Sequence, residues 1–199
     1  MEQYKRILLK EFDSKQKVIT ELINLEAILN LPKGTELYLS DIHGEFEAFD
    51  YILRTCAGNL NEKINDCFGE KLSKEEKDKL TLLIAYPQEV LSDGFLYPLK
   101  DKSWYGEIIQ NLLTLLAFVA AKYTRSKVRK ALPPQYAYII EELLYTDRNL
   151  PDSNIYFETI QNYLIDLGEA SQFISALSTV IRQLIIDHLH IVGDIFDRG

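Results

Sequence analysis

Two short strand-like runs lie far apart in the chain, and nearly everything between them repeats with helical period. Thr35 to Ser40 (Thr-Glu-Leu-Tyr-Leu-Ser) alternates as a strand does, and His188 to Val192 is a short apolar run that reads as a buried strand. Roughly 130 residues of helical character precede the second run. A simple βαβ unit reaches its second strand after a single crossover helix. The economical architecture is therefore an α/β sheet whose first two strands are separated by a large all-helical insertion. Residues 1–57 and 188–199 are expected to form part of an α/β domain, and 58–187 the insertion.

Both strands open into loops that carry chemistry. The first runs into Asp41-Ile42-His43-Gly44-Glu45, the second into Gly193-Asp194-Ile195-Phe196-Asp197-Arg198-Gly199. Open α/β sheets place their ligands at the carboxyl ends of strands. Asp41 and His43, two apart, can reach one metal ion, and imidazole with carboxylate suits zinc, manganese or iron. Asp194 is a third candidate metal ligand, and Gly193 is expected to let the backbone turn sharply before it. Arg198 offers a planar fork of donors that fits a phosphate. Two such tips side by side would form half of a dinuclear phosphoryl-transfer site, in which cations lie about 3.5–4 Å apart. A shared site requires the two strands to be parallel neighbours.

Helix signals fill the rest. Ser14 to Asn30 has Val18, Leu22, Leu25 and Leu29 at helical spacing and stops at Leu31-Pro32. Glu45 to Ala57 is helical, with Gly58 as the expected C-cap. Ser73-x-x-Glu76 is a capping box. A long helix is expected from Trp104 to about Lys130, buried over Ile108 to Ala121, with Pro133-Pro134 as its breaker. Tyr136 to Tyr145, Ile155 to Leu167 and Glu169 to Asp187 follow, the last feeding the second strand. Lys122, Arg125, Lys127, Arg129 and Lys130 form a basic cluster that reads first as a solvated helix end.

The formal net charge of −8 disfavours nucleic acid and anionic lipid as main partners. The most apolar stretch, Ile108 to Ala121, is shorter than the roughly 20 residues a membrane-spanning helix needs. Two cysteines, Cys56 and Cys67, without a Cys-x-x-Cys pair and behind a charged N-terminus, fit a reducing cytoplasm.

Asp-x-His-Gly followed by Gly-Asp-x-x-Asp-Arg-Gly resembles the calcineurin-like metallophosphatase superfamily. Protein serine/threonine and diadenosine tetraphosphate phosphatases share the two motifs but hold them a short βαβ apart. A long helical insertion at this point is similar to the class III fructose-1,6-bisphosphatases of bacteria. The segments Tyr38 to Phe49, Lys122 to Pro133, Tyr136 to Leu144 and His188 to Gly199 carry that resemblance.

The resemblance implies hydrolysis of the 1-phosphate of fructose 1,6-bisphosphate, a gluconeogenic step, with Mn2+ as the metal, dinuclear in the complete enzyme. It makes Asp41 and His43 ligands of the first metal and Asp194 the bridging ligand. Asp197 would orient a histidine of a later motif, and Arg198 would clamp phosphate. His188 and His190 match no superfamily ligand. The superfamily's Gly-Asn-His-Glu motif is absent, so the chain is expected to be the N-terminal part of a longer enzyme, inactive by itself. Another calcineurin-like phosphatase, or an inactive fragment acting as a helical binding module, are the competing expectations. The implied partner is a phosphorylated sugar, and a homo-oligomer stays open.

Overall fold

The computed structural model describes residues 2–92, 96–146 and 150–196. The chain is mostly helical with one small parallel sheet. In order, α1 (Glu2–Glu11) and α2 (Lys15–Leu29) precede strand β1 (Glu36–Leu39) and α3 (Phe46–Arg54). Then come α4 (Asn59–Phe68), α5 (Lys74–Ala85), α6 (Pro87–Ser92), α7 (Lys102–Ala120), α8 (Arg125–Ala131), α9 (Ala137–Tyr145), α10 (Pro151–Asp166) and α11 (Ala170–Ile185). Strand β2 (His188–Ile191) closes the order and pairs in parallel with β1, Glu36 opposite His188 and Leu39 opposite Ile191. The two strands therefore meet although the whole helical region separates them.

The core is built around α11. Its buried residues, among them Phe173, Ile174, Leu177, Ile181, Leu184 and Ile185, recur at the three- and four-residue spacing of one helix face. They pack along α7, whose Ile109, Leu112, Leu115 and Leu116 are fully buried, and against α5. Burying each such side chain contributes roughly 1.5–3 kcal/mol. The capping box that starts α5 is complete: the Ser73 amide donates to Glu76 Oε2 at 2.7 Å and the Glu76 amide to Ser73 Oγ at 3.3 Å. Ser14 caps α2 by the single bond its hydroxyl accepts from the Lys17 amide, at 3.3 Å. By contrast, α2 has no buried residue, and Val18, Leu22, Leu25 and Leu29 stay exposed.

Three local expectations are corrected. The helix from Trp104 does not run to Lys130. It ends at Ala120, and α8 restarts behind Thr124, whose side chain accepts from the Lys127 amide at 3.3 Å. A threonine hydroxyl that satisfies an orphan amide can start a new helix where periodicity alone suggests continuation. Similarly, the helix after β1 ends at Arg54, because Cys56, Ala57 and Gly58 all adopt left-handed φ values, and Gly58 stands at the start of α4 rather than the end of α3. Finally, β2 is not buried. His188 and Leu189 are exposed, and Tyr38 stacks on His190 on an open sheet face, ring centroids 4.5 Å apart.

The basic cluster is a solvated helix end only in part: Arg125, Lys127, Arg129 and Lys130 are exposed, but two of its lysines meet a buried acid. Lys122 and Lys127 both pair with Asp187, whose side chain is only 1% exposed. Tyr123 Oη donates to the same carboxylate at 2.5 Å and the Thr35 amide at 2.8 Å. Asp187 thus ties the α7–α8 turn to the starts of both strands. Gly34 is required beside it, since a Cβ there would collide with the Asp187 carboxylate. Arg129 pairs with Glu141 at 2.7 Å, and Arg125 lies over the Tyr145 ring.

Burial by itself would raise the Asp187 pKa. The hydrogen bonds from Lys127, Tyr123 and the Thr35 amide, with the Lys122 charge, outweigh it and bring the group down to about 2. A depressed folded-state pKa contributes stability that is complete above the unfolded value, near 3.9, and is lost as pH falls through the folded one. Asp187→Asn is expected to cost about 2 kcal/mol at neutral pH. It should also flatten the stability profile between about pH 4 and pH 2. Urea unfolding across a pH series measures both. A variant whose profile matches the parent over that window would remove Asp187 as the anchor.

Candidate metal centre

Parallel pairing of β1 and β2 puts two loops at the same end of the sheet. Pairing continues one step past the strands, where the Val192 amide donates to the Leu39 carbonyl at 2.9 Å. Beyond it the loops are stitched together by backbone. The Asp194 carbonyl accepts from the amides of Ile42 at 2.7 Å and His43 at 3.1 Å, and the Ile195 carbonyl from Gly44 at 2.9 Å. The Asp194 amide donates to Asp41 Oδ1 at 3.4 Å. Each loop supplies the other's partners, so neither keeps its shape alone.

The strain of this arrangement sits on the ligand candidates. Asp41 and His43 have φ of 48° and 49°, in the left-handed region, and Gly44 follows at 74°. Aspartate and histidine tolerate that region better than most residues, but it still costs of order 1–3 kcal/mol per residue. Such conformations persist only where surrounding bonds over-determine them, and here the amides of Ile42, His43 and Gly44 are all held by carbonyls of the opposite loop.

Gly193 has a different role from the sharp turn expected of it. A Cβ at this position would lie 2.5 Å from both the Asp41 amide nitrogen and Asp41 Oδ1. The glycine lets one loop backbone sit directly against the first candidate ligand.

The result is a triad. One potential ligand atom each from Asp41, His43 and Asp194 lie within 4.8 Å of one another, all three residues exposed at the rim of the sheet. Two carboxylate oxygens and an imidazole nitrogen, converging from one side and open to solvent on the other, fit a hard to borderline divalent cation with waters completing its shell. Among the described residues no other such group of three occurs. His188 and His190 are not part of it; they project onto the open sheet face beside Glu36 and Tyr38, with His190 Nε2 3.5 Å from Glu36 Oε2. Asp197 and Arg198 lie outside the described residues. Sequence reasoning found the three side chains but not the left-handed turn that aims two of them, for which an Asp-x-His-Gly sequence carries only the glycine as a signal.

Comparison with known proteins places the chain. The family description "Firmicute fructose-1,6-bisphosphatase" matches residues 3–199. A protein named fructose-1,6-bisphosphatase class 3 in Streptococcus gordonii is 69% identical over 199 residues, all of this chain and 31% of the relative. One of the same name in Streptococcus sanguinis is 70% identical over the same shares, and one in Listeria monocytogenes 50% identical over 99% of this chain and 30% of its own. The chain thus spans about 31% of the length of these curated relatives. No solved structure matches it.

Replacing Gly193 by alanine forces two backbones apart, since the Asp41 amide cannot move without breaking the stitched loops. Gly193→Ala is expected to weaken divalent-cation binding at the triad, with Mn2+ as the probe, about fivefold or more, with a stability loss of about 1–3 kcal/mol. Titration followed by electron paramagnetic resonance of free Mn2+, alongside chemical unfolding, reads both. Unchanged affinity would show that the loop contact does not shape the site.

Proposed function

The chain belongs to the Firmicute fructose-1,6-bisphosphatase family, and on that premise we propose that it forms part of a metal-dependent enzyme hydrolysing fructose 1,6-bisphosphate to fructose 6-phosphate and phosphate. The observation that carries this reading is the convergence of Asp41, His43 and Asp194 at two adjacent parallel strand tips. In this reading β1 and β2 are the first pair of a metallophosphatase-type sheet. Residues 1–57 and 188–199 belong to that domain, and 58–187 are its helical insertion.

The donor set favours Mn2+ or a similar cation, which Asp41, His43 and Asp194 would hold. Bound divalent cations supply a water of lowered pKa and polarise the phosphoryl oxygens for in-line displacement. The chain's own contribution is to hold that charge in place. The left-handed turn fixes Asp41 and His43, and Asp194 is oriented by its own backbone, whose carbonyl takes two amides from the opposite loop. Asp197 orients a histidine supplied from elsewhere in the longer enzyme, and Arg198 clamps phosphate as a planar fork. The gluconeogenic role and the cytoplasmic setting belong to the same proposal. No helix among the described residues is long and apolar enough to cross a membrane.

Asp194→Asn, in an enzyme of the relatives' length carrying this sequence, is expected to remove nearly all phosphate release. A neutral amide cannot neutralise two dications. Arg198→Ala should cost about 10²–10³ in rate, the usual effect of losing one preorganised donor. The 199-residue chain by itself should release no phosphate, because three ligands hold at most one cation. Manganese-dependent phosphate release from fructose 1,6-bisphosphate is the assay, and a near-parental rate for Asp194→Asn would overturn the assignment.

A further inference from the structure

The two helices ahead of the sheet take no part in the core. Neither α1 nor α2 packs closely on another element. Every described side chain of α1 is exposed, and α2 has no buried residue. Yet these are not the sequences of solvated helices. Eleven of their large apolar side chains are exposed, Leu9 at 69% and Leu29 at 79%. Helices this apolar are ordinarily buried, and a surface of this size marks an interaction site.

Between the helices runs a groove of about 520 Å³. Its walls are one face of each helix. Leu8, Leu9 and Phe12 come from the α1 side, and Val18, Leu22 and Leu25 from α2. Lys5 completes the first stripe and Glu21 the second, so that both follow the i, i+3, i+4, i+7 spacing of a helix face. The groove is therefore apolar along its centre, with one cation on one helix and one anion on the other. Neither charge forms an ion pair among the described residues, with the other or with a third group.

A two-fold interface needs a surface complementary to its own rotated copy. This groove meets that need. Rotation brings apolar stripe against apolar stripe, and Lys5 of each copy towards Glu21 of the other. Two helices joined by a short connection cannot enclose a core, but two such pairs facing each other can, as a four-helix bundle. The exposed apolar surface of α1 and α2 is also comparable with the roughly 800 Å² per partner that a specific interface buries.

We propose that α1 and α2 are the interface of a homodimer, two helix pairs closing face to face into a four-helix bundle. Leu9, Leu22 and Leu25 of both copies make its core, and Lys5 of one copy pairs with Glu21 of the other. None of Asp41, His43 and Asp194 lines the groove, so the inference stands apart from the proposed activity.

Sedimentation equilibrium over a concentration series tests this, on the 199-residue chain and on an enzyme of the relatives' length carrying this sequence. Both are expected to dimerise. Leu22→Glu removes no buried contact of the fold and should weaken dimerisation about tenfold or more. Lys5→Glu and Glu21→Lys should each weaken it severalfold, because each sets like charges opposite one another. An equimolar mixture of these two variants should recover the parental affinity, since each charge then meets its opposite on the other copy. An ion pair within one chain cannot produce that recovery. A monomer at every concentration would overturn the proposal, as would dimerisation that Leu22→Glu leaves unchanged or a mixture no tighter than the single variants. Dimerisation confined to the 199-residue chain would also overturn it, and would assign the groove to residues of the longer polypeptide.

Discussion

The Asp187 carboxylate is where the helical region and the sheet are joined. It stands between the end of α11 and the start of β2, and accepts from the Thr35 amide just before β1 and from the Lys122–Lys127 turn between α7 and α8. A carboxylate this buried must have its lone pairs satisfied, so it allows little sliding of one strand against the other. Sliding by one residue would also exchange the two faces of the strand. The register that puts Glu36 opposite His188 is thus secured at its base by one side chain.

Everything at the far end of the strands follows from that register. With Leu39 opposite Ile191, the next residues of each strand leave the ladder together, and the Val192 amide still finds the Leu39 carbonyl. The loops then trade backbone bonds instead of making their own. Two glycines permit the approach from opposite ends: Gly34 beside Asp187 at the base, Gly193 beside Asp41 at the tip. Both matter for the space they leave, one against a carboxylate and the other against a backbone amide.

Buried charge is handled in two ways in one small region. Asp187 and Arg182 lie five residues apart and line the same cleft, yet one has a full set of partners and the other has no ion pair among those described. The satisfied group reads as structural, since its contacts come from two separate segments of the chain, Thr35 before β1 and the Lys122–Lys127 turn.

Much of this was legible in the sequence. Helical periodicity, the Ser73–Glu76 box and the proline stops are local signals, and α2, α5, α9 and α11 formed close to where those signals lie. Asp41, His43 and Asp194 could be named because their residue types at strand ends restrict the chemistry, and the need for a shared site implied parallel neighbours. Other features depend on contacts between distant segments. The break between α7 and α8 belongs to a turn pulled onto Asp187, about 60 residues away in sequence, and a basic cluster looks the same in sequence whether it meets water or a buried acid. The left-handed φ of Asp41 and His43 is held by amides paired across to the opposite loop. Sequence determined which elements form and which residues can carry chemistry, because propensity and residue type act locally; tertiary structure decided which charges are matched and how the candidate ligands are aimed, because those energies exist only between parts of the chain brought together.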